Sequence, residues 1–273
     1  MDMDSSLFKL TSLNLNGIRS AASKGVEEWI AATGPDCICV QEVKAQAADI
    51  EGKFETLAGM HGVFHFAQKK GYSGVGIYSR HEPSDVIVGF DPEEFDAEGR
   101  YVEALFDTPT RKFSIISSYF PSGSSGEDRQ AAKFRFLAKM HAHLMRLKGE
   151  REFVLCGDIN IAHRKEDLKN WRGNQKNSGF TPEERAWMDM LLTEDSSTGG
   201  IKDVYRCLQP DTTDECYTWW SNRGQAYANN VGWRLDYHLA TPAIAALAQS
   251  ESIYKDKKFS DHAPITIGYE IKL

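Results

Sequence analysis

LFKLTSLNLNGIRSAASKGVEEWIAATGPDCICVQE (7–42) reads as strand, helix, strand. Residues 7–17 alternate apolar and polar and break at Gly17 into a polar loop, the period expected of a strand. Residues 24–34 carry apolar side chains at helical spacing and stop at Gly34-Pro35. CICV (37–40) is an unbroken apolar run, predicted to be a buried strand, and it ends abruptly in Gln41-Glu42.

Beyond Glu42 the chain continues in short strand-like segments. HGVFHFAQ (61–68), GVGIYSR (74–80), SDVIVGF (84–90), RYVEALFDT (100–108) and KFSIISSYFP (112–121) alternate with Gly, Pro and Asp turns, as in an antiparallel sheet. A long helix is predicted over 127–148, with Ala131, Phe134, Leu137 or Ala138, His141 and Leu144 or Met145 on one stripe. REFVLCGDIN (151–160) follows as a strand, then a loop-rich region at 161–181, a helix over 182–192, and late strands at 233–240 and 263–271. Strands on both sides of a helix predict two sheets packed face to face with helices outside, a layered α/β sandwich. PSGSSGE (121–127) is too short to separate two halves, so one domain spanning 1–273 is expected, with residues 1–6 as a flexible N-terminus.

Composition narrows the function classes. At 41% hydrophobic and 26% charged, the 273 residues can bury a sizeable core, which argues against disorder. The first residues, MDMDSS, are acidic and no long apolar run follows, so neither an export signal nor a membrane span is indicated and a cytoplasmic location is expected. Five scattered cysteines without a CxxC pair predict reduced thiols and no structural zinc. A net charge of −7 opposes nucleic-acid binding if spread evenly, but it is not. DPEEFDAE (91–98) holds five acids, whereas HRKEDLKNWRGNQKN (163–177) holds five Lys/Arg against two acids, which allows a basic face on an acidic body.

Polar residues directly after apolar strands point to chemistry, because strand ends in layered α/β folds converge on a cleft. Five such places occur: Asn14-Leu15-Asn16, Gln41-Glu42, Gly157-Asp158-Ile159-Asn160, Asp236, and Ser260-Asp261-His262. Each alone could be a turn or cap; together they form a set of oxygen ligands plus one imidazole, suited to Mg²⁺ or Mn²⁺ and hence to phosphate chemistry. Asp236 lies within an apolar strand and needs a partner, for which His262 is the best candidate. His61, His65, His141 and His143 fall within strand or helix patterns and read as structural.

The blocks LNLNGIR, CVQEVKA, GYSGVGIYSR, YFPSG, LCGDINIAH, GNQKNSGFTPEER, YTWWSNR, NNVGWRLDYHLA and KFSDHAPI run in order along nearly the whole chain. They resemble the signature blocks of the exonuclease III-like class II apurinic/apyrimidinic (AP) endonucleases, within the endonuclease/exonuclease/phosphatase superfamily. The resemblance implies a deoxyribonuclease I-like, four-layer α+β sandwich of two mixed sheets flanked by helices. It further implies a monomeric, Mg²⁺-dependent hydrolase acting on double-stranded DNA with abasic sites or 3′ blocks, cutting 5′ to the abasic site. A mainly 3′ to 5′ exonuclease, a 3′-phosphodiesterase, or a small-molecule or lipid phosphoesterase of the same fold are the alternatives. By the same resemblance, Tyr119, Asp158, Asn160, Asp236 and His262 are the catalytic residues, and Asn14, Glu42, Asp158, Asn160, Asp261 and His262 are the metal side. Trp219, Trp233 and Leu235 match a pocket for the flipped baseless sugar, and Lys44, Tyr72, Asn177 and Arg223 match positions near DNA. Such a pocket has a physical basis, since an abasic nucleotide lacks stacking and costs less to extrude.

Overall fold

A computed structural model describes residues 7–273; the expected flexible segment 1–6 lies outside the described residues. The strands, in chain order, are β1 (Phe8–Asn14), β2 (Cys37–Gln41), β3 (Thr56–Leu57), β4 (Met60–His65), β5 (Val75–Ser79), β6 (Asp85–Val88), β7 (Tyr101–Leu105) and β8 (Phe113–Tyr119). They continue with β9 (Glu152–Asp158), β10 (Lys202–Asp203), β11 (Trp219–Trp220), β12 (Gly232–Trp233), β13 (Asp236–Ala240), β14 (Ala248–Ile253) and β15 (Ile265–Tyr269). The helices are α1 (Ile18–Ser23), α2 (Val26–Thr33), α3 (Ala47–Ile50), α4 (Glu127–Leu147), α5 (Trp171–Asn174), α6 (Pro182–Leu192), α7 (Val204–Leu208) and α8 (Pro242–Ala245).

Two mixed sheets form, ordered β14-β15-β1-β2-β5-β4-β3 and β10-β13-β9-β8-β7-β6. The predicted antiparallel series is therefore split: β5 pairs with β2 and β4 with β5 in one sheet, while β6, β7 and β8 join the other. A strand run read along the chain does not show which partner each strand finds, because pairing is set by long-range burial. Inward side chains of the two sheets, including Leu10, Cys37, Cys39, Ile77, Val102, Ile115, Val154 and Cys156, meet in one core. A second core packs Phe136, Leu137, Met140 and Leu144 of α4 and Trp187 of α6 on the six-stranded sheet, and a third packs Ile18, Val26 and Ile30 of α1 and α2 on the other. The layers thus run helix, sheet, sheet, helix, as expected. All five cysteines are free thiols.

Helix α4 has the predicted length but a rotated buried face. Ala132, Lys133, Phe136, Leu137, Met140, Leu144 and Leu147 face inward, and Phe134 is 37% exposed. Apolar spacing placed Phe134 inside and left Lys133 out; the packing instead seats Phe136 against Phe90, Phe95 and Phe120, and turns Lys133 inward onto a buried carboxylate. The acidic run 91–98 is matched by this helix, with Glu94 on Arg135, Asp91 on Lys139 and Glu98 on Arg129, and is not a free acidic face. No helix among the described residues is long and apolar enough to cross a membrane.

Strand direction sets the site. β1 and β2 are parallel, with Asn14 opposite Gln41, and β8 and β9 are parallel, with Tyr119 opposite Asp158. β13 starts beside the end of β9, Asp236 opposite Asp158. Both sheets therefore deliver their polar strand ends to the same edge of the sandwich.

Candidate active site

At that edge lies a cavity of about 250 Å³ lined by Glu42, Tyr119, Ser122, Ser124, Asp158, Asn160, Ser178, Gly179, Trp219, Trp233, Leu235, Asp261 and His262. A larger hollow of about 420 Å³ opens around His61, Ser79 and Pro83, at the opposite end of β5 from Val75, which pairs with Gln41. It holds none of the strand-end residues, so the smaller cavity is the candidate site.

Asn14 is fully buried, and its amide Nδ2 donates to Glu42 Oε1 and Asp158 Oδ2, both at 2.9 Å. Its Oδ1 accepts the Asn16 N–H, so Asn14 orients the two carboxylates from beneath. Glu42 sits at φ 46°, in the left-handed region, where strand β2 turns its carboxylate into the cavity. Asp158 also accepts the Asn160 N–H at 3.0 Å, and Asn160, at φ 55°, donates its amide to the Phe120 carbonyl.

His262 Nδ1 lies 2.8 Å from Asp236 Oδ2, the pairing expected from the residues alone, and its Nε2 lies 3.6 Å from Asp158 Oδ2. The Thr218 hydroxyl donates to the same Asp236 oxygen at 2.6 Å and accepts the Leu235 and Asp236 N–H groups. Burial would favour the neutral forms of both Asp158 and His262. The Asp158 carboxyl is pushed up by that burial together with the Asp236 and Glu42 charges. The His262 imidazole is pushed up against its burial because the Asp236 and Asp158 carboxylates stabilise its positive form.

Glu42, Asp158 and His262 each present one ligand atom within 4.8 Å of the others. Asp261 stands outside that group. Its carboxylate accepts Asn16 Nδ2 and the Trp219 indole N–H, both at 3.1 Å, which places it between the carboxylates and the aromatic wall. On that wall Trp219 and Trp233 meet edge to face with centroids 6.2 Å apart, and Leu235 closes the floor.

The expected DNA-side residues divide. Lys44 bonds Glu42 Oε2 and Asn16 Oδ1 at the rim. Tyr72 reaches the site through Arg100, whose guanidinium donates to the Tyr72 hydroxyl and the Tyr119 carbonyl and stacks 4.9 Å over the Tyr119 ring. Asn177 and Arg223 are exposed and line no part of the cavity. Arg100, Thr218, Lys133 and Glu184 were not identified from the sequence. Arg100 opens a predicted strand and Lys133 lies off the predicted buried stripe of the helix over 127–148, so neither drew notice, and the Thr-x-x-Glu capping box at Thr181 and Glu184 marks only a helix start.

The sequence pattern of the Endonuclease/Exonuclease/phosphatase family matches residues 11–262. The chain is 38% identical over 264 residues to the zebrafish (Danio rerio) DNA repair nuclease APEX1, covering 95% of this chain and 81% of that protein. It is 32% identical over 260 residues to the exodeoxyribonuclease of Bacillus subtilis, covering 95% and 98%. The solved structure of the AP endonuclease LMAP from Leishmania major superposes with a TM-score of 0.85 at 25% identity, covering 100% of this chain and 90% of that one. On the pattern match, these identities and the shared two-sheet architecture, the chain belongs to the endonuclease/exonuclease/phosphatase family, in its exonuclease III-like branch.

Proposed function

We propose that this protein is a DNA repair nuclease that hydrolyses the phosphodiester on the 5′ side of an abasic site in duplex DNA, leaving a 3′-hydroxyl and a 5′-deoxyribose phosphate. The observation that carries this reading is the two-sided cavity: carboxylates, amide and imidazole on one side, and Trp219, Trp233 and Leu235 on the other. The first side suits a phosphate and the second suits a sugar stripped of its base. Relatives named as a DNA repair nuclease and an AP endonuclease support the same substrate.

In this reading Asp158 accepts the proton of the attacking water, held in place by the Asn14 and Asn160 bonds. The Asn160 amide and the Tyr119 hydroxyl orient the phosphate, and the His262–Asp236 pair offsets the charge that grows on it. The oxygen-rich donors around Glu42 fit a hard divalent cation such as Mg²⁺, with Mn²⁺ as substitute, and leave no soft-ligand cluster that would favour zinc. Bound there, the cation would polarise a phosphoryl oxygen and stabilise the departing alkoxide. Glu42 and Asp158 would hold it, with Asp261 on the Asn16 side. The chain would act as one monomeric domain in the cytoplasm, a compartment in keeping with five free thiols.

Removing divalent cations with EDTA should abolish incision of an abasic duplex, and Mg²⁺ should restore it; metal-independent cutting would refute the role of Glu42. The B. subtilis relative is named an exodeoxyribonuclease, so 3′ to 5′ trimming is the second reading. Kinetics on an abasic duplex, a recessed 3′ end and a 3′-phosphate separate the two. The abasic duplex should have the highest kcat/KM, and a preference for the recessed end would reverse the order. Equal action on a small phosphodiester without DNA would sink both.

A further inference from the structure

Behind the catalytic residues, Lys133 of α4 and Glu184 of α6 are both fully buried, with Lys133 Nζ 2.6 Å from Glu184 Oε1. The ammonium makes a second bond at 2.7 Å, to the backbone carbonyl of Asn160. That carbonyl belongs to a non-glycine residue at φ 55°, a conformation that persists only when its surroundings hold it. The carboxylate holds the facing loop: its Oε2 accepts the Gly179 N–H at 2.7 Å and the Thr181 N–H at 3.0 Å. Gly179 lies against the sugar pocket, where an added Cβ would sit 3.1 Å from the Trp233 ring and 3.4 Å from the Asn160 carbonyl. One ion pair therefore grips the backbone of Asn160 and the backbone of the pocket wall together.

We propose that Lys133 and Glu184 are a positioning pair, holding the backbone of Asn160 in register with the pocket wall so that the Asn160 amide is correctly placed to orient the phosphate. The inference rests on the reading above in which Asn160 orients the phosphate. Folding alone does not call for the pair. Phe136, Leu137, Met140, Trp187, Met188 and Leu191 already join α4 and α6 to the sheet, and a buried ion pair is commonly matched or bettered by apolar residues of similar volume. Its distinctive property is where its hydrogen bonds go. A misplacement of about 1 Å at a reacting centre costs on the order of a hundredfold in rate.

The test uses the full chain with Lys133→Met and Glu184→Gln combined, so that no lone charge is left buried, and with Lys133→Gln and Glu184→Gln combined as the milder variant, which is also neutral but keeps a donor at position 133. On an abasic duplex with Mg²⁺, the Met/Gln variant should lose at least about tenfold in kcat with KM within about twofold, and the Gln/Gln variant should lose less. Binding of the abasic duplex in EDTA should stay within about twofold, a readout that a collapsed pocket would not preserve. In an Asn160→Ala background neither change should lower kcat further, because both act through Asn160. Losses that multiply in that background, or native kcat in either folded pair variant while Asn160→Ala is impaired, overturn the inference alone. Native turnover by Asn160→Ala overturns the reading beneath it, and the inference with it.

Discussion

Asp158→Asn is expected to lower turnover on an abasic duplex by about a thousandfold, within the range of a lost general base, while the protein still folds. Both carboxylate oxygens accept hydrogen bonds, Oδ2 from Asn14 and Oδ1 from the Asn160 N–H. An asparagine accepts through only one oxygen, so the substitution removes the base and also frees either Asn14 or Asn160. Folding should survive, because burial and the Asp236 and Glu42 charges disfavour a carboxylate here, against the attraction of His262. Single-turnover cleavage and thermal melting on the same preparation decide the matter. Turnover within tenfold of native with an unchanged melting midpoint would remove Asp158 from the chemistry.

The second large effect lies behind the pocket. Asp167→Ala should destabilise the fold by about 3–5 kcal/mol, the usual result of deleting one partner from a buried ion pair. Asp167 and Arg234 are both fully buried, with Arg234 Nε on Asp167 Oδ1 at 2.8 Å and its Nη2 on Asp203 Oδ2 at 2.6 Å. Arg206 Nη2 also reaches Asp167 Oδ1, at 2.5 Å. Removing Asp167 leaves two guanidinium groups facing one carboxylate, and Arg234 sits between the pocket residues Trp233 and Leu235. Burial would raise the Asp167 carboxyl, but Arg234 and Arg206 hold it well below the usual carboxylate range. Its contribution is thus fully present above an unfolded value of about 3.9 and disappears as pH falls through the lower folded value. Urea melts at neutral pH should show the loss, and the gap between native and variant should narrow as pH falls below about 4. A gap that is constant or widens on acidification would contradict the pairing.

Much of this was legible along the chain. The apolar run CICV, the alternation before Gly17 and the bounds of α6 follow from side-chain period and local caps, which act within a few residues. Asn14, Glu42, Asp158, Asp236 and His262 stood out because, although each alone could be a turn or cap, together they form one set of oxygen ligands plus an imidazole. Even the Asp236–His262 pair could be inferred, since a carboxylate in an apolar strand requires a partner. The substrate came from the ordered sequence blocks, because residue chemistry alone reaches only a hard-metal phosphoesterase.

Tertiary packing decided the remainder. The division of β4 to β8 between two sheets, the one-position rotation of α4 and the inward turn of Lys133 depend on partners far away in sequence, with Lys133 in α4 and Glu184 in α6 separated by β9, α5 and their loops. Local pattern treats a lysine as solvated surface, and a buried carboxylate at 2.6 Å with the Asn160 carbonyl at 2.7 Å makes its burial tolerable. Arg100 under Tyr119 and Arg234 behind the pocket were hidden for the same reason. Which strands end in polar residues is a property of residue type and local period, so the sequence by itself determined it. How those ends are held in register is a property of long-range charge and packing, which only the folded structure decides.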